Sequence, residues 1–114
     1  MANPYEQYEN LTKKEKEYLK KHPTHVWYPE ESKEIAFAET KRIFGINGRN
    51  DRSDAFRHCY WSALLSMDVG YSNALEFTNA HESSPLNDPK EKAMGLHNYS
   101  VGLKWGKLKH PHHY

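Results

Sequence analysis

The sequence predicts an all-α domain, a small bundle of about five helices with an irregular N-terminal region and a basic, aromatic tail. Three observations predict it. Apolar residues recur at helical spacing in four successive stretches between Pro29 and Val101. Glycine, proline and Asn/Asp clusters separate those stretches as loops. No alternating apolar–polar run of strand length occurs, which leaves short strands open only in the first 30 residues and the tail.

Each element has its own signals. Thr12 followed by Glu15 has the spacing of a capping box, and the helix it starts runs to Lys21 before His22-Pro23 stops it. Its surface is charged, with Tyr18 and Leu19 the main apolar groups, as in a short peripheral helix. A second helix starts near Pro29 or Ser32 and ends at Gly45, which suits a left-handed cap; Ile35, Phe37, Ala38, Ile43 and Phe44 are its apolar content. Gly45 to Arg52 is a loop by composition. Ser53 is the expected cap of the third helix, Asp54 sits in its first turn, and Gly70 ends it. Apolar residues surround this helix almost completely, so it is the expected centre of the bundle. A fourth helix runs from Ser72 to about Glu82, and a loop with Pro85 follows. Asp88-Pro89 opens a fifth, running to about Val101.

The 114 residues make one domain, residues 1–114, with a core over about 29–103 and a tail over 104–114. Lys and Arg number 16 against 15 Asp and Glu, and a formal charge of +1 excludes binding to nucleic acid by bulk attraction alone. Aromatic residues at 13% supply a ring-rich core and argue against general disorder. The lone Cys59 excludes an internal disulfide and a finger-type thiolate zinc site. Residues 1–8 show no apolar core of the secretory-leader kind, and no stretch has the roughly 20 apolar residues that span a bilayer.

Polar groups that interrupt apolar helices carry the functional expectation. Asp54 and His58 are four apart and share a face, with Arg57 beside them and Trp61 one turn on. His81, beside Glu82, lies one turn after Phe77 on an apolar face. His97 and Asn98 fall among apolar neighbours, and Gly95 and Gly102 are spaced for close helix approach. Each group alone has a structural reading: Arg57 ties down loops, Asp54 caps and orients His58, and His81 meets a helix C-terminus. Convergence of Asp54, Arg57, His58, His81, Glu82, His97 and Asn98 in one pocket instead makes a site.

Two histidines with an arginine suit phosphodiester cleavage. One imidazole takes a proton, the other gives one, Arg57 stabilises anionic charge, Asp54 orients His58 and Glu82 is a second base. Trp61, His97 and Asn98 are the expected substrate contacts. His58, His81 and Glu82 also have the donor types for a divalent cation that activates water. Residues 46–103 hold five basic and seven acidic residues, a balance of −2 that mildly favours the cation. No HExxH, phosphate-binding glycine loop or Gly-x-Ser-x-Gly elbow is present, and Cys59 reads as core. Three classes follow: a phosphodiesterase or ribonuclease, a metal-dependent hydrolase of lipid or other esters, and a non-catalytic helical binding module. Trp27, Tyr28 and Trp105 would suit the lipid case. The tail from Lys104 to Tyr114 is basic with interleaved aromatics, able to touch phosphates and bases or to fray, and its paired histidines can take up metal adventitiously.

Three segments carry a resemblance: Asp54-Ala55-Phe56-Arg57-His58-Cys59-Tyr60-Trp61-Ser62-Ala63-Leu64-Leu65, then Phe77-Thr78-Asn79-Ala80-His81-Glu82, then Met94-Gly95-Leu96-His97-Asn98-Tyr99-Ser100-Val101-Gly102. Over about half the chain they resemble C-terminal toxin-like domains of Rhs, YD-repeat and wall-associated secreted bacterial proteins used in contact-dependent competition. The first segment is the most specific. The chain has Gly95 where that pattern has Asp. The resemblance implies a cargo secreted on a larger carrier polypeptide and acting in a target cell, often with an immunity protein as partner, and many such cargoes are nucleases. RNA or phospholipid is the substrate expected from the residues.

Overall fold

The computed structural model describes residues 10–84 and 87–109. Five α-helices follow in order: α1 (Lys13–Lys21), α2 (Tyr28–Phe44), α3 (Arg52–Val69), α4 (Tyr71–His81) and α5 (Pro89–Lys109), with a 3-10 turn at Pro23–His25 between the first two. No strand occurs among the described residues, so strands in residues 10–30 or in 104–109 are ruled out. No described helix is long and apolar enough to cross a membrane.

The α3 helix is central, as its nearly complete apolar surround predicts, and packs against α2, α4 and above all α5. The core joins Trp61 and Leu65 of α3 to Tyr99 and Leu103 of α5, Ala74 and Phe77 of α4, Ala36 of α2, and Tyr18 and Leu19 of α1. It therefore begins well before residue 29. Tyr18 meets the edge of Phe77 at 5.2 Å, and Thr12 Oγ1 donates to the Ala80 carbonyl at 2.8 Å, so α1 is bound in rather than peripheral. The capping box at Thr12 and Glu15 is present in both directions.

In α2 the buried stripe is Ser32, Ala36 and Thr40, with Ile35, Phe37, Ile43 and Phe44 exposed. Ser32 and Thr40 satisfy their hydroxyls on the carbonyls one turn back, at 2.6 and 2.7 Å, which lets small polar residues stand at the core. Gly45 takes the left-handed conformation (φ 77°) expected of a helix stop.

Two boundaries differ from expectation. Asp51, not Ser53, caps α3: its Oδ1 accepts from the Asp54 N–H at 2.9 Å, while the Ser53 hydroxyl donates to Asp51 at 2.6 Å and accepts from the Gly48 N–H at 2.8 Å. Both residue types cap helices, and the extended backbone at Asp51 decides between them. The α5 helix does not stop near Val101 but continues to Lys109. Gly102 makes the close helix approach that its spacing predicts. A Cβ there would overlap the Cys59 carbonyl, and one at Gly106 would overlap the Ala63 carbonyl. Ser66 Oγ donates across the same seam to the Leu103 carbonyl at 3.0 Å. Pro85, the N-terminal residues 1–9 and the paired histidines at 112–113 lie outside the described residues.

Substitution Gly102→Ala or Gly106→Ala forces α5 off α3 and should cost about 1–3 kcal/mol each. Thermal unfolding checks this; an unchanged melting temperature would show that the seam is not tightly packed.

Candidate functional site

Three adjoining cavities cross one side of the bundle. The widest, about 680 Å³, lies between the start of α3, the loop before it and the first half of α5. Arg57 and His58 form part of its wall and also line a second cavity of about 150 Å³, with Lys33, Phe37, Trp61, His81 and Tyr99. Lys33, Trp61 and His81 in turn line a third, about 250 Å³, towards α1.

His58 is oriented from its own helix. Its Nδ1–H is shared between the Asp54 carbonyl at 2.7 Å and the Asp54 carboxylate at 2.9 Å. Both partners only accept, so the hydrogen is on Nδ1 and the lone pair of the neutral ring is on Nε2. Asp54 is fixed in turn by the Arg57 guanidinium at 2.7 Å and the Asn50 N–H at 2.7 Å. Arg57 also donates to the Gly48 carbonyl at 3.1 Å and lies over the Phe37 ring at 4.8 Å. Both Nη2 donors are engaged, so it positions Asp54 and the loop, the structural role the sequence also allowed.

His81 is held the same way by a partner the sequence did not name. Its Nδ1–H donates to Glu15 Oε2 at 3.1 Å, across 66 residues, while Oε1 of the same carboxylate accepts from the Thr12 N–H at 2.8 Å. Glu15 is 3% exposed. Burial pushes its carboxyl up, but the bond and charge of His81 and the Thr12 amide outweigh that and hold it below its ordinary 4.5. The histidine side chains remain 25% and 31% accessible, and neither Nε2 has a hydrogen-bond partner among the described residues.

Tyr99 and Trp61 join the two histidines. The Tyr99 ring stands 5.1 Å from His58 and 6.4 Å from His81, and Trp61 meets His81 edge-on at 5.1 Å. Trp61 is buried and donates from Nε1 to the Pro29 carbonyl at 3.0 Å, so it forms a wall through its ring alone.

The expected seven residues do not form a single pocket. Asp54, Arg57, His58, Glu82, His97 and Asn98 line the wide cleft, but His81 faces only the two smaller cavities. Glu82 does not partner His81. It accepts from the Tyr99 hydroxyl at 3.0 Å and the Asn87 amide at 2.9 Å. Glu82 is thus engaged by Tyr99 and Asn87 rather than by His81, and no three His, Cys, Asp or Glu groups among the described residues are placed to hold a metal. The set His58, His81 and Glu82 is not assembled as a cation site. Burial raises the Cys59 thiol above its ordinary value, in keeping with a core residue. Gly95 is buried against Glu82: a Cβ there would lie 3.1 Å from Oε1. An Asp at this position, as in the toxin-like pattern, would set a second carboxylate against the first.

Sequence reasoning missed Glu15, Lys33 and Tyr99. Glu15 was visible only as a capping residue, and Tyr99 only as one aromatic on an apolar helix; Lys33 carried no signal.

Because the folded-state pKa of Glu15 is lowered, its stabilising contribution is fully present above 4.5 and is lost as pH falls through the lower folded value. Glu15→Gln keeps the capping geometry and removes the charge. Denaturant unfolding at neutral and acidic pH should show wild type more stable at pH 7 and the gap closing below the carboxylate range. A gap independent of pH would remove the ion pair from the account.

No curated protein and no solved structure matches the chain. Residues 16–113 match the family described as "Domain of unknown function (DUF6973)", a match that takes in α2 to α5 and both carboxylate-held histidines, and the chain belongs to that family.

Proposed function

We propose that the chain is a phosphodiester hydrolase in which His58 and His81 are the acid–base pair. One observation carries this reading: the two imidazoles, each anchored through Nδ1 by a carboxylate, open into one small cavity whose other charged lining groups are Lys33 and Arg57. That cavity is cationic and walled by the Phe37, Trp61 and Tyr99 rings, which suits a phosphoryl group with an apolar or stacking substituent.

In this reading one Nε2 takes the proton from the attacking hydroxyl or water. The other, protonated at the outset, delivers a proton to the departing oxygen, so the net charge of the pair is unchanged. The Lys33 ammonium faces the phosphoryl oxygens, a role the sequence had given to Arg57. Asp54 and Glu15 fix the ring tautomers and balance each imidazolium as it forms.

RNA is a fitting substrate because its 2′-hydroxyl is a built-in nucleophile. The wide cleft favours a second substrate, a phospholipid headgroup: it is lined by four carboxylates, Asp51, Asp54, Glu82 and Glu91, against two guanidinium groups, a poor bed for a long polyanion. The resemblance of residues 54–102 to toxin-like cargo supports a setting in which a larger secreted carrier delivers the domain and an immunity protein restrains it.

The test is turnover of RNA, DNA, a small diester and phospholipid, with and without chelator. His58→Gln and His81→Gln, which keep a donor towards Asp54 and Glu15, should each lower the rate about a hundredfold or more at an unchanged melting temperature. No turnover of any substrate, or full activity in both variants, would contradict the reading.

A further inference from the structure

The two buried carboxylates among the described residues have different partners. Glu15 meets an imidazole. Glu82, 7% exposed, is met only by neutral donors, the Tyr99 hydroxyl and the Asn87 amide, and has no cation within ion-pair distance among the described residues. Burial and the Glu82 charge push the Tyr99 hydroxyl far above its ordinary range, so it stays a neutral donor. Glu82 also stands at the C-terminal cap of α4, where the helix carbonyls add negative potential. A buried anion at the negative end of a helix, without a counter-charge, is a costly arrangement.

The carboxylate is also reachable. Glu82 and Gly95 both line the wide cleft, and Gly95 brings the α5 backbone close to Oε1 with no Cβ to crowd it. The same cleft reaches the histidine cavity through Arg57 and His58. A ligand with its phosphoryl group at the histidines has room to lay a substituent against Glu82.

We propose that Glu82, beneath Gly95, anchors a subsite for an aliphatic ammonium group, the counter-charge that the described residues do not supply. The ammonium site stands on the geometry of Glu82. That the ammonium belongs to a phosphodiester, of the aminoalkyl kind, rests on the hydrolase reading above.

Calorimetric titration of the full chain with 2-aminoethyl phosphate and with ethyl phosphate tests this. The amine should tighten binding about tenfold, the size expected of a charge-assisted hydrogen bond. Glu82→Gln should erase that advantage without weakening ethyl phosphate. Gly95→Ala, which crowds Oε1 and suits a helix, should reduce it in the same direction and decides the matter if the first variant does not fold. His58→Gln should weaken both ligands and keep their ratio. Equal affinities in wild type, or a ratio that survives both Glu82→Gln and Gly95→Ala, would overturn the subsite. A preserved ratio in a chain that cleaves no diester would sink the hydrolase reading and leave the subsite standing. Under the proposal, glycerophosphoethanolamine or phosphatidylethanolamine vesicles show the same Glu82 dependence, and whichever binds tells a free diester from a lipid headgroup.

Discussion

The space of one methyl group decides where α5 can lie. With glycine at 102 and 106, its backbone rests directly on the Cys59 and Ala63 carbonyls of α3, and the Ser66–Leu103 hydrogen bond closes the seam. Tyr99 is one turn before Gly102, so this contact drives its ring between His58, Trp61 and His81 and its hydroxyl onto Glu82. Were α5 held further out, the histidines would lose their common wall and the small cavity its closed side.

Charge compensation explains the rest of the site. Removing ionised groups from water is tolerated when each has a partner, and the pairings here also orient. Asp54 serves three donors and so links the loop, Arg57 and His58. Glu15 combines two unrelated tasks, closing the capping box of α1 and fixing the ring of His81 at the end of α4. The position of α1 is thereby tied to the orientation of His81: a helix that looks like surface by composition supplies a buried carboxylate beside it.

Local features were legible in the sequence, and cross-helix ones were not. The capping box at Thr12, the Gly45 and Gly70 stops and the Asp88-Pro89 start are short-range patterns that act through neighbouring backbone, and they stand as read. The Asp54–His58 pair is likewise local, four residues apart on one helix. The reading failed where tertiary packing overrode a local cue. The end of α5 near Val101 is one such case: the helix runs on to Lys109, while the close approach read at Gly102 holds at the seam with α3. His81 has Glu82 beside it in sequence, but helix geometry sends neighbours in different directions, and its acid comes from 66 residues away. Lys33 could be placed in the site only once α2 was laid over Trp61.

In the proposed hydrolase, His58 and His81 face one ligand together. The direct measurement is a nuclear magnetic resonance titration of the chain with inorganic phosphate, following the imidazole signals of both residues. A single bound phosphate should shift both sets of signals with one common dissociation constant, and His58→Gln should weaken the response at His81. Shifts confined to one ring, or two rings responding with separate affinities, would contradict the account.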